Sequence, residues 1–402
     1  MIMSSIENFP PEVLEKIFAG FKGKYLVEQV MLTCMKFHDV VANSATLMRK
    51  IVLRWDSNEI LNDEEDLLES PRKYFHILFS RANEITPNIT QFINKHSSTI
   101  ATLDFHDCLF TYDEIRCVLS TVAGTLEKLI YMGTLVLEPA KIQQIKLPKL
   151  KTFELSRADE DEIGVLLILS TIATRNLQRF IYFGINVTVE DPLEVEALDT
   201  LLRSQHYLAE LELPPLHAKA FIKKFLQSPF SLQLKMLRLE LHNPTVIQSN
   251  KLLFHDGNLA KFIETQKFTL KDLALANCVL NATDIKQVLA LGIQKLELSS
   301  CKFILTDNID VDNHSIKSFA LHQLGKRDAE DERAICSLLK SCPDLETVKF
   351  VYGTVTLEIS MILAENLKHL KKLELRNCSI VAIPYPRVEK VDAFRVMKSP
   401  KE

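Results

Sequence analysis

LKDLALANCVLNATDIKQVLALGIQKLELSSCKF, residues 270–303, is the stretch from which the fold is read. Leu270, Leu273, Leu275 and Cys278 fall in the pattern L-x-x-L-x-L-x-x-C. Ile293, Leu296, Leu298 and Cys301 repeat it 23 residues later. Between them Ile285, Val288 and Leu289 keep a helical spacing, and Gly292 stands where a helix would stop. One unit is therefore a short strand, a turn, a helix and a turn. Neither its strand nor its helix buries an apolar face alone, so each unit must stack on a neighbour of its own kind.

The pattern extends through most of the chain. Its central strand slot is taken by Ile77, Leu103, Leu129, Phe153, Phe180, Leu211, Leu237, Leu273, Leu296, Phe319, Val348 and Leu373, spaced by 26, 26, 24, 27, 31, 26, 36, 23, 23, 29 and 25 residues. Nearly all of these intervals lie in or close to the period of leucine-rich repeats, about 20–29 residues. The widest contains HNPTVIQSNKLLFHDGN (242–258), expected to protrude as a loop. The expected fold is an α/β solenoid of about 11–12 strand–helix repeats. Residues 72–395 resemble the leucine-rich repeats with Cys or Asn at their ninth position that occur in F-box proteins.

Composition narrows the function. A formal net charge of −4 over 402 residues does not provide the basic stripe that nucleic-acid phosphates need. Only 10 residues are Gly, and no G-x-G-x-x-G or Walker loop is present to cradle phosphates. Eight cysteines could suggest a disulfide framework. Cys108, Cys278, Cys301 and Cys378, however, share one slot of their repeats and read as packing residues, and no C-x-x-C pair supports a zinc ribbon. Reduced thiols and the lack of a secretory leader lead to the expectation of a cytoplasmic or nuclear protein. The longest apolar run, IGVLLILSTIA (163–173), falls short of the ~20 residues of a membrane span. The eleven histidines are scattered, and no H-E-x-x-H or G-x-S-x-G motif occurs. The chain is expected not to be an enzyme and to need no cofactor or metal.

Residues 6–54 depart from the repeat. Pro10 and Pro11 suit a helix start, and Val13, Leu14, Ile17, Phe18 and Phe21 then form one wide apolar face. A second helix is expected to carry Leu26, Val30, Leu32 and Phe37, and a third to begin near Val40 and include Leu47 and Ile51, with Gly20 and Gly23 loosening the chain between. Three short helices over ~45 residues make a small core that wants a partner. This segment resembles an F-box, whose pattern opens L-P-x-E-[LV]-L-x-x-I-F-x-x-L and continues with V-C-x-x-W. Pro10, Glu12, Val13, Leu14, Ile17, Phe18 and Cys34 match it directly. Phe9 and Phe21 stand for Leu, Phe37 for Trp, and Leu47 with Met48 fills the final pair. The resemblance implies docking to the Skp adaptor through Pro10, Glu12, Leu14, Ile17, Phe18, Cys34 and Phe37, and through that adaptor to a cullin/RING ligase core.

The expected organisation is an F-box at 1–54, an acidic linker at 55–71 with Trp55 at its head, the solenoid at 72–395 and a tail at 396–402. VEKVDAF (388–394) is expected to add a last strand that covers the stack. Acidic runs ahead of the helices in SRADEDEIGVLLIL (156–169) and KRDAEDERAICSLL (326–339) suit the positive end of a helix dipole better than acid–base catalysis. Strand alternation turns the residues between the core leucines toward the sheet's outer face. There Ile130, Met132, Ile181 and Phe183 are apolar where water is expected, as are Val351 and Tyr352 farther on. With Arg157, Lys349 and Arg376 they are the candidate contacts for a target protein, and the basic lower end suits an acidic or phosphorylated segment. The function this implies is the substrate-recognition subunit of an SCF-type ubiquitin ligase, with neither nucleic acid nor membrane as a partner. The alternative is a non-catalytic leucine-rich-repeat scaffold or inhibitor whose N-terminal helices only cap the solenoid.

Overall fold

Every residue assigned above to a central strand slot is buried. The computed structural model describes residues 6–56, 68–136, 142–157, 164–184, 192–239, 257–276, 278–304, 309, 311–322, 329–380 and 390–394. They divide into two compact units, Met1–Leu177 and Gln178–Glu402. The acidic run after Asp56, the protruding loop at 242–256 and the acidic residues 158–163 lie outside the described residues.

In the first unit, strands β1 (Val52–Asp56), β2 (His76–Ser80), β3 (Thr102–Thr111), β4 (Lys128–Val136) and β6 (Thr152–Arg157) pair in that order, all parallel. A separate pair joins β5 (Ile145–Lys146) to β7 (Ile172–Ala173). The registers Ile77↔Leu103↔Leu129↔Phe153 and Phe79↔Phe105↔Tyr131↔Leu155 put one face of every strand into the core. The strand β1 corrects the sequence reading, which began an acidic linker at Trp55. Only its last two residues, Trp55 and Asp56, are buried, so no two-residue period marks it, and the ladder to β2 supplies the backbone partners. Trp55 packs edge-on against Phe92 at 5.9 Å.

The N-terminal helices belong to this unit. They are α1 (Pro11–Phe18), a helical stretch α2 over 23–33, α3 (Met35–Asn43) and α4 (Ala45–Met48). The expected second helix breaks at Cys34, whose φ of −161° is extended backbone, so Phe37 lies on α3. The expected third helix breaks at Ser44, whose hydroxyl accepts the Leu47 amide at 3.1 Å and donates to Glu15 at 2.6 Å. Gly23 is there for closeness rather than looseness. A Cβ on it would lie 1.8 Å from the Lys50 carbonyl oxygen. Leu14, Phe18, Leu26, Val30, Phe37, Val40, Val41 and Leu47 close a small core of their own. Arg49 lies over the Phe75 ring at 5.1 Å, and an Arg72 guanidinium nitrogen meets the His38 ring nitrogen at 2.6 Å, which ties the helices to the first repeat.

The repeat helices of this unit are α5 (Pro87–His96), α6 (Tyr112–Thr121) and α7 (Gly164–Thr171). Thr111 and Glu114 cap α6 reciprocally, and Glu114 also accepts the Ile85 amide of the preceding repeat at 2.8 Å.

In the second unit β8 (Arg179–Gly184), β9 (Glu210–Leu213), β10 (Met236–Leu239), β11 (Asp272–Ala276), β13 (Lys295–Ser299), β15 (Ser318–His322), β16 (Thr347–Val355), β17 (Lys372–Ile380) and β18 (Lys390–Phe394) form one parallel series. The strand expected within 388–394 is present as β18. A second short ladder joins β12 (Val279–Asn281) to β14 (Lys302–Ile304). Helices α8 (Pro192–Arg203), α9 (Pro215–Gln227), α10 (Asn258–Thr265), α11 (Ala282–Ala290), α12 (Ala329–Lys340) and α13 (Leu357–Glu365) follow their strands. The acids expected ahead of the helix in 326–339 are Glu330, Asp331 and Glu332 in the first turn of α12. Asp331 also accepts the Phe303 amide at 3.1 Å.

The turn after each strand explains the cysteines. Arg81, Asp107, Ser300, Tyr352 and Asn377 occupy one slot and have positive φ, between 50° and 56°. That left-handed kink turns the next side chain inward, where Cys108, Cys301 and Cys378 sit. Their thiols donate to a carbonyl of the preceding repeat: Cys108 to Phe79 at 3.4 Å, Cys301 to Leu275 at 3.6 Å and Cys378 to Phe350 at 3.5 Å. All eight cysteines are free, and the ladder joins repeats by weak S–H bonds rather than by covalent links.

Candidate functional site

Two kinds of surface qualify, one on the N-terminal helices and one on the outer face of each sheet. On the helices, amphipathic spacing divides the residues that the F-box resemblance singled out. Leu14, Phe18 and Phe37 point into the module's core, with the Phe18 and Phe37 rings edge-on at 5.0 Å. They are not available to touch a partner, which corrects their direct role. Ile17 and Cys34 are half-buried against the same core, and Pro10 and Glu12 are exposed. The outer side carries apolar residues that the sequence reading did not assign to docking: Val13, Phe21, Tyr25, Leu32 and Met35. Leu32 is 77% and Met35 74% exposed, and they flank the break at Cys34. Phe21 and Tyr25 pack together at 5.0 Å. The available signal was the pair of apolar residues on either side of Cys34, which a single helical period cannot place on one buried face.

On the first unit's outer sheet face the register aligns Leu78, Asp104, Ile130 and Glu154. Asp104 lies 2.7 Å from His106 and 3.9 Å from His76, and Lys128 lies 2.9 Å from Glu154. Ile130 is on this face as expected, but it is buried, so its carbons contribute little to a contact. Met132 is half-buried beside His106 in the ladder. Arg157 ends β6, and its side chain lies outside the described residues.

On the second unit's outer face, Ile181, Glu212, Arg238, Ala274, Glu297, Ala320, Lys349 and Glu374 fall in one row across the strands. Ile181 is only 1% exposed, so the expectation that it contacts a target is corrected; Phe183, two residues on, is half-buried. The middle of the face is a closed charge network. Glu297 lies 3.1 Å from His322, 3.6 Å from Arg238 and 3.6 Å from Lys295. Asp272 lies 3.4 Å from Arg238 and 3.5 Å from Lys295. Toward the C-terminal end, Glu374 pairs with Lys372 at 3.5 Å and with Arg376. Lys349 sits between Ala320 and Glu374 in register and forms no ion pair among the described residues. Burial, opposed by Glu297 and reinforced by Lys349 and Arg376, holds the His322 pKa below its ordinary range. Val351 is buried, whereas Tyr352 is half-buried in its left-handed kink and Arg376 is exposed.

Among the described residues no group of three His, Cys, Asp or Glu side chains could hold a metal ion, and no helix is long and apolar enough to cross a membrane. No family model and no curated protein matches the sequence. Two solved structures are similar to it over most of this chain. One is TLR13 in complex with ssRNA13, at 13% identity and a TM-score of 0.39, over 84% of this chain and 41% of that one. Another is an internalin, InlF, of Listeria monocytogenes, at 12% identity and a TM-score of 0.39, over 83% of this chain and 89% of that one. The chain thus spans less than half of the first of these. The fold is a leucine-rich-repeat α/β solenoid. Its parallel, in-register strands present a broad outer face suited to holding a protein or another ligand.

Proposed function

We propose that this chain is the substrate-recognition subunit of an SCF-type ubiquitin ligase. The N-terminal helices dock the Skp adaptor, and the sheet face holds a target protein. The observation that carries this reading is the exposed apolar side of the helices, above all Leu32 and Met35, on a module whose own core is already closed. Side chains of that size left in water beside a finished core are the mark of a partner surface. The F-box-like spacing of Pro10, Glu12, Val13 and Cys34 on the same segment supplies the identity of the partner. The chain then does no covalent chemistry. It raises the effective concentration of target lysines at the ubiquitin-charged enzyme.

Co-expression with the Skp adaptor tests it. Wild type is expected to copurify in a stoichiometric complex. Leu32→Asp and Met35→Asp, which leave the core of the module intact, are expected to lose it while the circular dichroism spectrum stays unchanged. Leu14→Asp and Phe18→Asp would lose it by unfolding the module and are poorer probes. Failure of wild type to bind at micromolar concentration would replace this reading with the scaffold, whose helices only cap the repeats.

A further inference from the structure

One slot of the repeat brings two reactive side chains together. It is the residue after the left-handed kink, where Cys108, Cys301 and Cys378 turn inward. Beside two of them the neighbouring repeat supplies glycine: Gly133 lies against Cys108, and Gly353 is the ladder partner of Cys378. Cys301 instead meets Cys278. The ladders fix this pairing from both sides. Ala276 is in register with Ser299 before the kink and Val279 with Lys302 after it, so Cys278 and Cys301 stand opposite each other. The Lys302 amide donates to the Cys278 carbonyl at 2.9 Å and keeps the two backbones close. Both side chains are buried, and the two thiols are in hydrogen-bond contact.

The separation is that of a disulfide. Neighbouring strands run about 4.8 Å apart, within the Cα range of about 4.4–6.8 Å that a disulfide spans. The equivalent slot of the first unit shows the same closeness between β carbons. A Cβ on Gly133 would lie 3.5 Å from the Cys108 Cβ, at the short end of the about 3.5–4.5 Å that a disulfide needs. We propose that Cys278 and Cys301 are a redox-modification site, which hydroperoxides convert into a disulfide between successive repeats. Cys301 is the attacking group. The hydrogen bond from Cys278 holds its thiol pKa below the ordinary value, against the opposing effect of burial, whereas burial and then Cys301 push that of Cys278 well up.

Hydrogen peroxide supplies the whole oxidation. The Cys301 thiolate attacks one peroxide oxygen, the O–O bond breaks, and the departing hydroxide takes up the thiol proton to leave as water. The sulfur, now a sulfenic acid, is attacked by Cys278. The S–S bond forms as the S–O bond breaks, and the hydroxyl leaves with the Cys278 proton as a second water. The thiol pair loses two electrons, and one peroxide is reduced. Access runs through the β12–β14 ladder, three residues on each strand, whose opening uncovers both sulfurs. The bond closes a loop around α11 and ties β11 to β13, the strands that carry Asp272, Lys295 and Glu297 of the outer-face network.

The experiment treats the purified full chain, folded and reduced, with hydrogen peroxide, blocks the remaining thiols with iodoacetamide, and maps tryptic peptides by mass spectrometry with and without reductant. A cross-linked pair, 272–286 with 296–302, is expected in the monomer, two hydrogens lighter than the separate peptides and parted by reductant. Amide exchange in β11 and β13 of the oxidised protein is expected to slow by at least about tenfold and to recover on reduction. Cys278→Ala and Cys301→Ala, each with a native circular dichroism spectrum, are expected to lose both the cross-link and the slowing. The exposed Cys117 reports that the oxidant has acted. Oxidised Cys117 without the cross-linked pair overturns the proposal, as does sulfinic acid accumulating at Cys301, or a pair that forms only in urea. Slowed exchange that persists in Cys278→Ala overturns it too, because the bond would then lie elsewhere.

Discussion

At the scale of single residues, burial sets the behaviour of the ionisable side chains. His96 lies between the Tyr74 and Phe92 rings, at 5.1 and 4.5 Å. Burial, and then the neighbouring Lys95, holds its pKa below the ordinary value. The unfolded chain takes a proton there first, so stability is full above about pH 6.5 and falls as pH drops toward the folded-state pKa. Urea midpoints at pH 7.5, 6.5 and 5.5 are expected to fall in that order, with a shallower fall in His96→Phe; an unchanged slope would show that His96 is not the sensor. Three buried cysteines shift the other way. Burial pushes the Cys108 thiol up to about 11 and those of Cys336 and Cys342 up to about 12. They stay protonated through neutral pH, and the stability that depends on them is lost only as pH climbs above 9. Cys117 is the exposed thiol. Brief iodoacetamide treatment of the native protein, read by mass spectrometry, is expected to modify Cys117 well before Cys108, Cys336 or Cys342. The register of these sites was legible early, since Cys108 and Cys378 share a slot with Cys278. The carbonyl partners of the thiols were not, because each belongs to a residue more than 20 positions away.

At the scale of elements, caps and close approaches hold the short pieces in place. Thr111 and Glu114 satisfy the first turn of α6 reciprocally, so Thr111→Ala is expected to cost about 1 kcal/mol in a urea titration. Gly23 is a sharper case. An alanine methyl there meets the Lys50 backbone, which has little room to move, so Gly23→Ala is expected to destabilise the N-terminal helices by about 1–3 kcal/mol. Hydrogen exchange should register it as faster exchange over 11–48, with β3 and β4 unchanged. The sequence shows a glycine between two helices and suggests slack; only the packed structure shows that the chain passes too closely for a side chain. The same limit applied to β1, whose five residues gain their strand character from β2.

At the scale of the whole molecule, each repeat leans on the next, so damage is expected to stay local. Leu296 is buried between Leu273 and Phe319 in the central row. Leu296→Ala is expected to cost about 2–5 kcal/mol and to speed amide exchange in β11, β13 and β15 while β17 keeps its protection. Uniform loss of protection across the second unit would mean that its repeats unfold as one. The sequence by itself determined the repeat period and the row of central residues, Ile77 to Leu373, that the repeat strands turn into the core. Those follow from local alternation, and stacking like on like repeats the same side chain at the same height, as in the row from Phe180 to Leu373. The tertiary structure alone decided which apolar residues of the N-terminal helices face outward and which charges on the sheet face are neutralised. A helix has an inner side only relative to what it packs on. An ion pair across strands depends on residues such as Arg238 and Glu297, brought together by two turns of the stack.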